Sequence, residues 1–211
     1  MKLASQTFRD GGVIPGRCAF AVKAPIGHVK LSQNFNPELH WSDVPAAARS
    51  LVLVCIDPDA PSPKPEGVNT EGQVLDARLP RGEFVHWVMV DIPAKAGRIA
   101  EGACSSGIAA GGKRDPVGPA GSRQGINDYT AWFAGDKSME GPYFGYDGPC
   151  PPWNDEIPHH YRFELYAVEL ERCPVEGEFT LAQVRKAIAG HVLAGTSITG
   201  RYALNPALRL R

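Results

Sequence analysis

A mainly β chain folded as one domain over residues 1–211 is predicted by three features of the sequence. Its 19 prolines and 23 glycines are a heavy load for a helical protein and suit short strands joined by turns. Three segments, 51–56, 84–90 and 161–170, carry strand patterns, and a helical repeat follows Thr180. At 211 residues the chain suits one generous all-β domain, and no internal repeat or linker divides it.

Leu51-Val-Leu-Val-Cys-Ile56 is apolar throughout and rich in β-branched residues, as in a strand covered on both faces. Pro58 has no N–H for a ladder bond, so this strand is expected to end at Asp57-Pro58. Phe84–Val90 is also apolar on both faces and belongs in the middle of the structure, with His86 expected on the face of Phe84, Val88 and Val90. In Tyr161–Leu170, alternation places Tyr161, Phe163, Leu165 and Ala167 on one face and Arg162, Glu164 and Tyr166 on the other. The pattern slips at Val168, which suggests a bulge or a change of covering layer.

Thr180-Leu-Ala-Gln183 matches a capping box. Leu181, Val184, Ile188 and His191 or Val192 then recur at helical spacing, and Gly195 is placed to end the helix. Between these elements lie two long loops, 62–82 and 102–144, the first proline-rich and the second glycine-rich. Loops of such length in a compact domain usually form functional surfaces or covers.

Composition excludes several roles. The formal net charge is -1 and the 22 Lys and Arg are scattered, whereas a nucleic-acid surface needs a basic stripe. The longest apolar run, Leu51–Ile56, is far short of a membrane span, and the first residues lack the apolar core of a secretory signal. Five cysteines, widely spaced and without C-x-x-C, predict neither a disulfide framework nor a zinc knuckle and suit a reducing cytoplasm. There is no H-E-x-x-H, G-x-S-x-G, P-loop or dinucleotide fingerprint, so neither cofactor nor catalytic residue is expected.

Three polar clusters interrupt the apolar pattern. Asp57-Pro58-Asp59-Ala60-Pro61 follows the first strand and fits either a turn or a pair of functional carboxylates. His86 lies inside the second strand, either as a satisfied core residue or as a ligand-binding one. Gly148-Pro-Cys-Pro-Pro152 precedes His159-His160-Tyr161. Alternation sends His159 and Tyr161 to the side of Phe163, and His160 to the solvated side. Pro151-Pro152 makes a rigid wall, and the Cys150 amide just before it could donate to an anion.

With Asn36-Pro-Glu-Leu-His-Trp41 and Val44-Pro45 near the start, these segments stand in an order that resembles the phosphatidylethanolamine-binding, or Raf-kinase-inhibitor-like, family, particularly its bacterial branch. Asp57-Pro-Asp-Ala-Pro61 matches its D-P-D-A-P motif. Phe84-Val-His-Trp87 and Gly148–Pro152 with His159-x-Tyr161 are similar to its other signatures. The resemblance implies a large antiparallel sheet packed on a smaller one, with helices near the C-terminus. It also implies a ligand pocket of Asp57, Asp59, His86, Cys150, Pro151, Pro152, His159 and Tyr161. Cys150 stands where eukaryotic members have glycine.

The expected function is non-catalytic binding of a small phosphate-bearing anion or phospholipid head group. A zwitterionic head, its amine facing an Asp, would suit the pocket better than free phosphate. The resemblance also implies regulation of a kinase or protease partner, and a homodimer is compatible with the sequence. The alternative is a metal-dependent hydrolase using Asp57, Asp59, His86 and His159, residue types that ligate metals.

Overall fold

The computed structural model describes residues 1–210. In chain order its elements are β1 (Lys2–Ala4), β2 (Ala21–Lys23), β3 (Val29–Leu31), β4 (Leu39–Ser42), β5 (Ser50–Pro61), β6 (Arg81–Pro93) and β7 (Gly97–Ile99). There follow β8 (Arg123–Gln124), the short helix α1 (Tyr129–Trp132), β9 (His159–Val168), α2 (Leu181–Ile188) and β10 (Val192–Tyr202).

The two apolar strands, β5 and β6, pair at the heart of a five-stranded antiparallel sheet ordered β10-β9-β5-β6-β8. Strict alternation along β5 feeds two cores. Leu51, Leu53 and Cys55 meet Leu39 and Trp41 of β4 and Ile99 of β7, the small sheet ordered β1-β4-β7. Val52, Val54 and Ile56 face α2 through Leu181, Val184 and Ile188. Each such buried side chain contributes about 1.5–3 kcal/mol of transfer free energy. The chain is thus mainly β, with a large antiparallel sheet packed on a smaller one, as expected.

The face assignment for β9 is observed, since Tyr161, Phe163, Leu165 and Ala167 all join the core shared with the small sheet. Val168 keeps the alternation and packs on the α2 side, while the register shift lies opposite it in β10, between Val192 and Ala194. The slip is therefore a change of covering layer. Thr180 caps α2 with both halves of the capping box, its side chain accepting from the Gln183 amide.

Three expectations are corrected. β5 does not end at Pro58 but runs to Pro61. Pro58 and Asp59 together oppose Glu83 alone, between the pairs Asp57–Phe84 and Ala60–Gly82, and a bulge tolerates a residue without an N–H. α2 stops at Ile188, followed by Gly190 at φ +81, and Gly195 lies inside β10 instead. His86 does not share a face with Val88 and Val90. Trp87 pairs with Cys55 and Val85 with Ile56, leaving His86 as an extra residue, so the valines turn to the α2 core while His86 meets Tyr161.

Candidate functional site

The antiparallel register brings the end of β5, the first half of β6 and the start of β9 together, pairing Asp57 with Phe84 and Ile56 with Arg162. A cavity of about 370 Å³ opens there, lined by Asp57, His86, His159 and Tyr161. Cys150, Pro151 and Pro152 also line it. Gly148 starts this segment because its backbone passes close to the chain at Cys18, where a Cβ would lie 2.1 Å from a carbonyl oxygen.

Asp59 does not line the cavity. Its Oδ2 accepts from the backbone N–H of His160 and lies 2.8 Å from that residue's Nδ1, on the exposed side where His160 was expected. Asp59 thus closes the bulge rather than facing a ligand, and it shares no centre with His86. The four side chains of the hydrolase reading do not converge. Among the described residues, no group of three or more His, Cys, Asp or Glu is placed to hold a metal ion.

His159 is fully committed. Its Nδ1 lies 2.6 Å from Asp57 Oδ2 and its Nε2 lies 3.1 Å from Asp155 Oδ2. Burial lowers its pKa, but hydrogen bonds to Asp155 and Asp57 outweigh it and raise the group to about 9. It is therefore an imidazolium donating from both nitrogens. Asp155 in turn accepts from Arg81 Nη1 at 2.6 Å and Nη2 at 3.1 Å. Burial pushes the Asp155 carboxyl up, yet the His159 and Arg81 bonds bring it below its ordinary value. Asp57 Oδ1 accepts from the Asp59 amide at 2.8 Å. Two carboxylates and two cations thus balance, and neither carboxylate presents an uncommitted oxygen to a ligand amine. The geometry gives the zwitterionic preference no support.

His86 is only half committed. Its Nδ1 lies 2.7 Å from the Asp147 carbonyl oxygen, which can only accept, so Nδ1 carries the proton. Burial lowers its pKa more than the nearby Asp57 charge raises it. The neutral ring then has Nε2 as an acceptor. Its position is fixed by the 102–148 region, where Asn34, Asn127 and Lys113 bind the Asp147 carboxylate and Asp147 N–H donates to His86 O.

Tyr161 carries the most telling signal. Its side chain is 1% exposed, and its hydroxyl has no hydrogen-bond partner among the described residues. A buried hydroxyl left unpaired costs about 1–3 kcal/mol. Its ring stands edge-on to His86 with centroids 5.1 Å apart. Burial also pushes the Cys150 thiol up to about 12, so it is a packing group and not a nucleophile.

Sequence reasoning missed Arg81 and Asp155, whose pairing across 74 residues leaves no periodic trace. It also missed the aromatic wall, Phe20, Phe84, Tyr129, Trp132 and Phe133. Tyr129-x-x-Trp132-Phe133 inside a glycine-rich loop was the available signal, since solvated loops rarely carry three clustered rings. The N-terminal motif is structural. Asn36 accepts from the amides of Cys104 and Ser105, and Glu38 accepts from the Gln6 amide and Arg98.

Comparison with known proteins agrees with this architecture. The family model for phosphatidylethanolamine-binding protein matches residues 4–203, and the chain belongs to that family. It is 30% identical over 203 residues to the UPF0098 protein YbhB of Escherichia coli strain K12, covering 96% of this chain and 100% of that one. A UPF0098 protein of Methanothermobacter thermautotrophicus is 30% identical over 202 residues, covering 96% and 98%. The crystal structure of E. coli YbcL, described as a new member of the mammalian PEBP family, superposes with a TM-score of 0.68 at 27% identity, covering 96% and 97%. That of CT736 from Chlamydia trachomatis, a phosphatidylethanolamine-binding protein homolog, gives 0.64 at 26%, covering 95% of each chain. Among the described residues no helix is long and apolar enough to cross a membrane.

Proposed function

We propose that the cavity is a non-catalytic binding site for a small ligand with a phosphate-type head group. The head is held by the Tyr161 hydroxyl, His86 Nε2 and the Cys150 backbone amide against the Pro151-Pro152 wall. The unpaired, buried Tyr161 hydroxyl carries this reading, because a ligand oxygen would satisfy it. No reacting machinery accompanies it: His159 has both nitrogens engaged, and the Cys150 thiol is held protonated. Five free cysteines among the described residues fit work in the cytoplasm.

Charge balance at the floor of the cavity has a consequence for binding. The spare polar groups, His86 and Tyr161, are neutral at pH 7, so an anionic head must bring or recruit a proton. The bound form is then an imidazolium at His86 with the anion, or equivalently a protonated head donating to Nε2. Burial holds free His86 below its ordinary value and a bound anion raises it, so proton uptake accompanies binding and affinity falls as pH rises through the histidine range. Calorimetric titration with a phosphomonoester across pH 5 to 8 tests this. Affinity that rises with pH, together with one metal per chain by elemental analysis, would instead establish a metal site, whose ligands must be deprotonated.

A further inference from the structure

We infer that the ligand's body is a flat aromatic ring, so that the molecule the cavity selects is an aryl phosphomonoester rather than free phosphate or a diacyl lipid. This rests on the head-group reading above. At about 370 Å³ the cavity equals on the order of a dozen water volumes, whereas a phosphate group has only five heavy atoms. Most of the space therefore belongs to something else. Two long acyl chains do not fit in it, and a single ring does.

The walls say which kind of body. Phe20 and Tyr129 are stacked with centroids 4.6 Å apart, and Phe133 continues the stack on Tyr129 at 5.7 Å. Phe84 meets Tyr129 edge-on, and meets Trp132 edge-on nearer the rim. Such faces and edges favour an aromatic guest through offset stacking and edge contacts beyond the apolar area alone. Val29 and Leu31 of the β2–β3 hairpin add further apolar lining. Trp132 is 38% exposed, and the Lys64 ammonium lies 3.9 Å from the centre of its ring. A cation at the rim attracts an anionic ligand on entry without charging the floor. None of these residues belongs to the head-group contacts, so seat and head can be tested apart.

Titration of the full chain with inorganic phosphate, phenyl phosphate, n-hexyl phosphate and phenol reads the inference directly. Phenyl phosphate is expected to bind about tenfold to a hundredfold tighter than inorganic phosphate, the scale of burying one ring. In Leu31→Ser, at an exposed position that leaves the core intact, that margin should shrink while inorganic phosphate binds unchanged. Equal affinity for phenyl and inorganic phosphate would overturn the aromatic seat and leave the head site standing. Hexyl phosphate binding tighter than phenyl phosphate would overturn the choice of a flat ring. Phenol binding as tightly as phenyl phosphate would keep the seat and remove the phosphate head. If none of the four binds, both readings fall.

Discussion

His86 and His159 stand in the same cavity wall, both nearly devoid of solvent exposure, yet their surroundings give them opposite characters. His159 lies between two carboxylates, carries a charge and has no nitrogen to spare. His86 faces one carbonyl oxygen through Nδ1 and burial keeps it neutral. The number of hydrogen bonds each ring makes, not residue type, separates the two. The unpaired Tyr161 hydroxyl falls with His86, and Asp57 falls with His159.

Several measurements would break or sharpen this contrast. The largest effect is expected from Asp155→Ala, which strips His159 and Arg81 of their shared carboxylate and should cost about 3–5 kcal/mol in denaturant unfolding. A loss below about 1 kcal/mol would mean that the ion network is not the scaffold.

Next comes the pH dependence of stability. His159 rises from 6.5 to about 9 on folding, so its contribution is on the order of 3 kcal/mol. A raised pKa means that this stability is full below pH 6.5 and is lost as pH climbs through about 9. Replacing His159 by Gln should abolish that decline, whereas His86→Gln should leave it in place.

For binding, His86→Ala should weaken a phosphomonoester by about 1.5–3 kcal/mol, while His160→Ala, on the exposed side, should change it by under about 1 kcal/mol. Equal losses would show that the strand register does not separate the two. Among the residues lining the cavity, the smallest effect is that of Tyr161→Phe. It should leave stability unchanged or slightly higher, since it removes an unsatisfied hydroxyl, but should weaken binding by about 0.5–1.5 kcal/mol. A clear drop in stability would mean that the hydroxyl already has a structural partner.

What the sequence makes legible follows from what is local or periodic. The β9 face and the α2 capping box are read directly, because alternation and a four-residue box leave a trace in adjacent positions. β10 is not visible, as Thr196-Ser-Ile-Thr199 forms part of an edge strand with little apolar content, and edges need no continuous hydrophobic run. The bulges at Pro58 and His86 are equally silent, since one extra residue in a ladder has no composition of its own. A shared motif groups Asp59 with Asp57 in the sequence. The bulge at Pro58-Asp59 breaks the alternation that would keep the two carboxylates on one side, and Asp59 goes to His160.

The bulge at His86 also bears on how such a cavity arises. Val85 pairs with Ile56 and Trp87 with Cys55, so the sheet is already continuous without the residue between them. Removing that one position would join two registered halves and leave the layers on either side as they are. The imidazole that lines the cavity is thus a supernumerary residue in a finished framework. The chemistry of the cavity can be gained, lost or exchanged by one insertion or deletion, while the architecture that supports it stays intact.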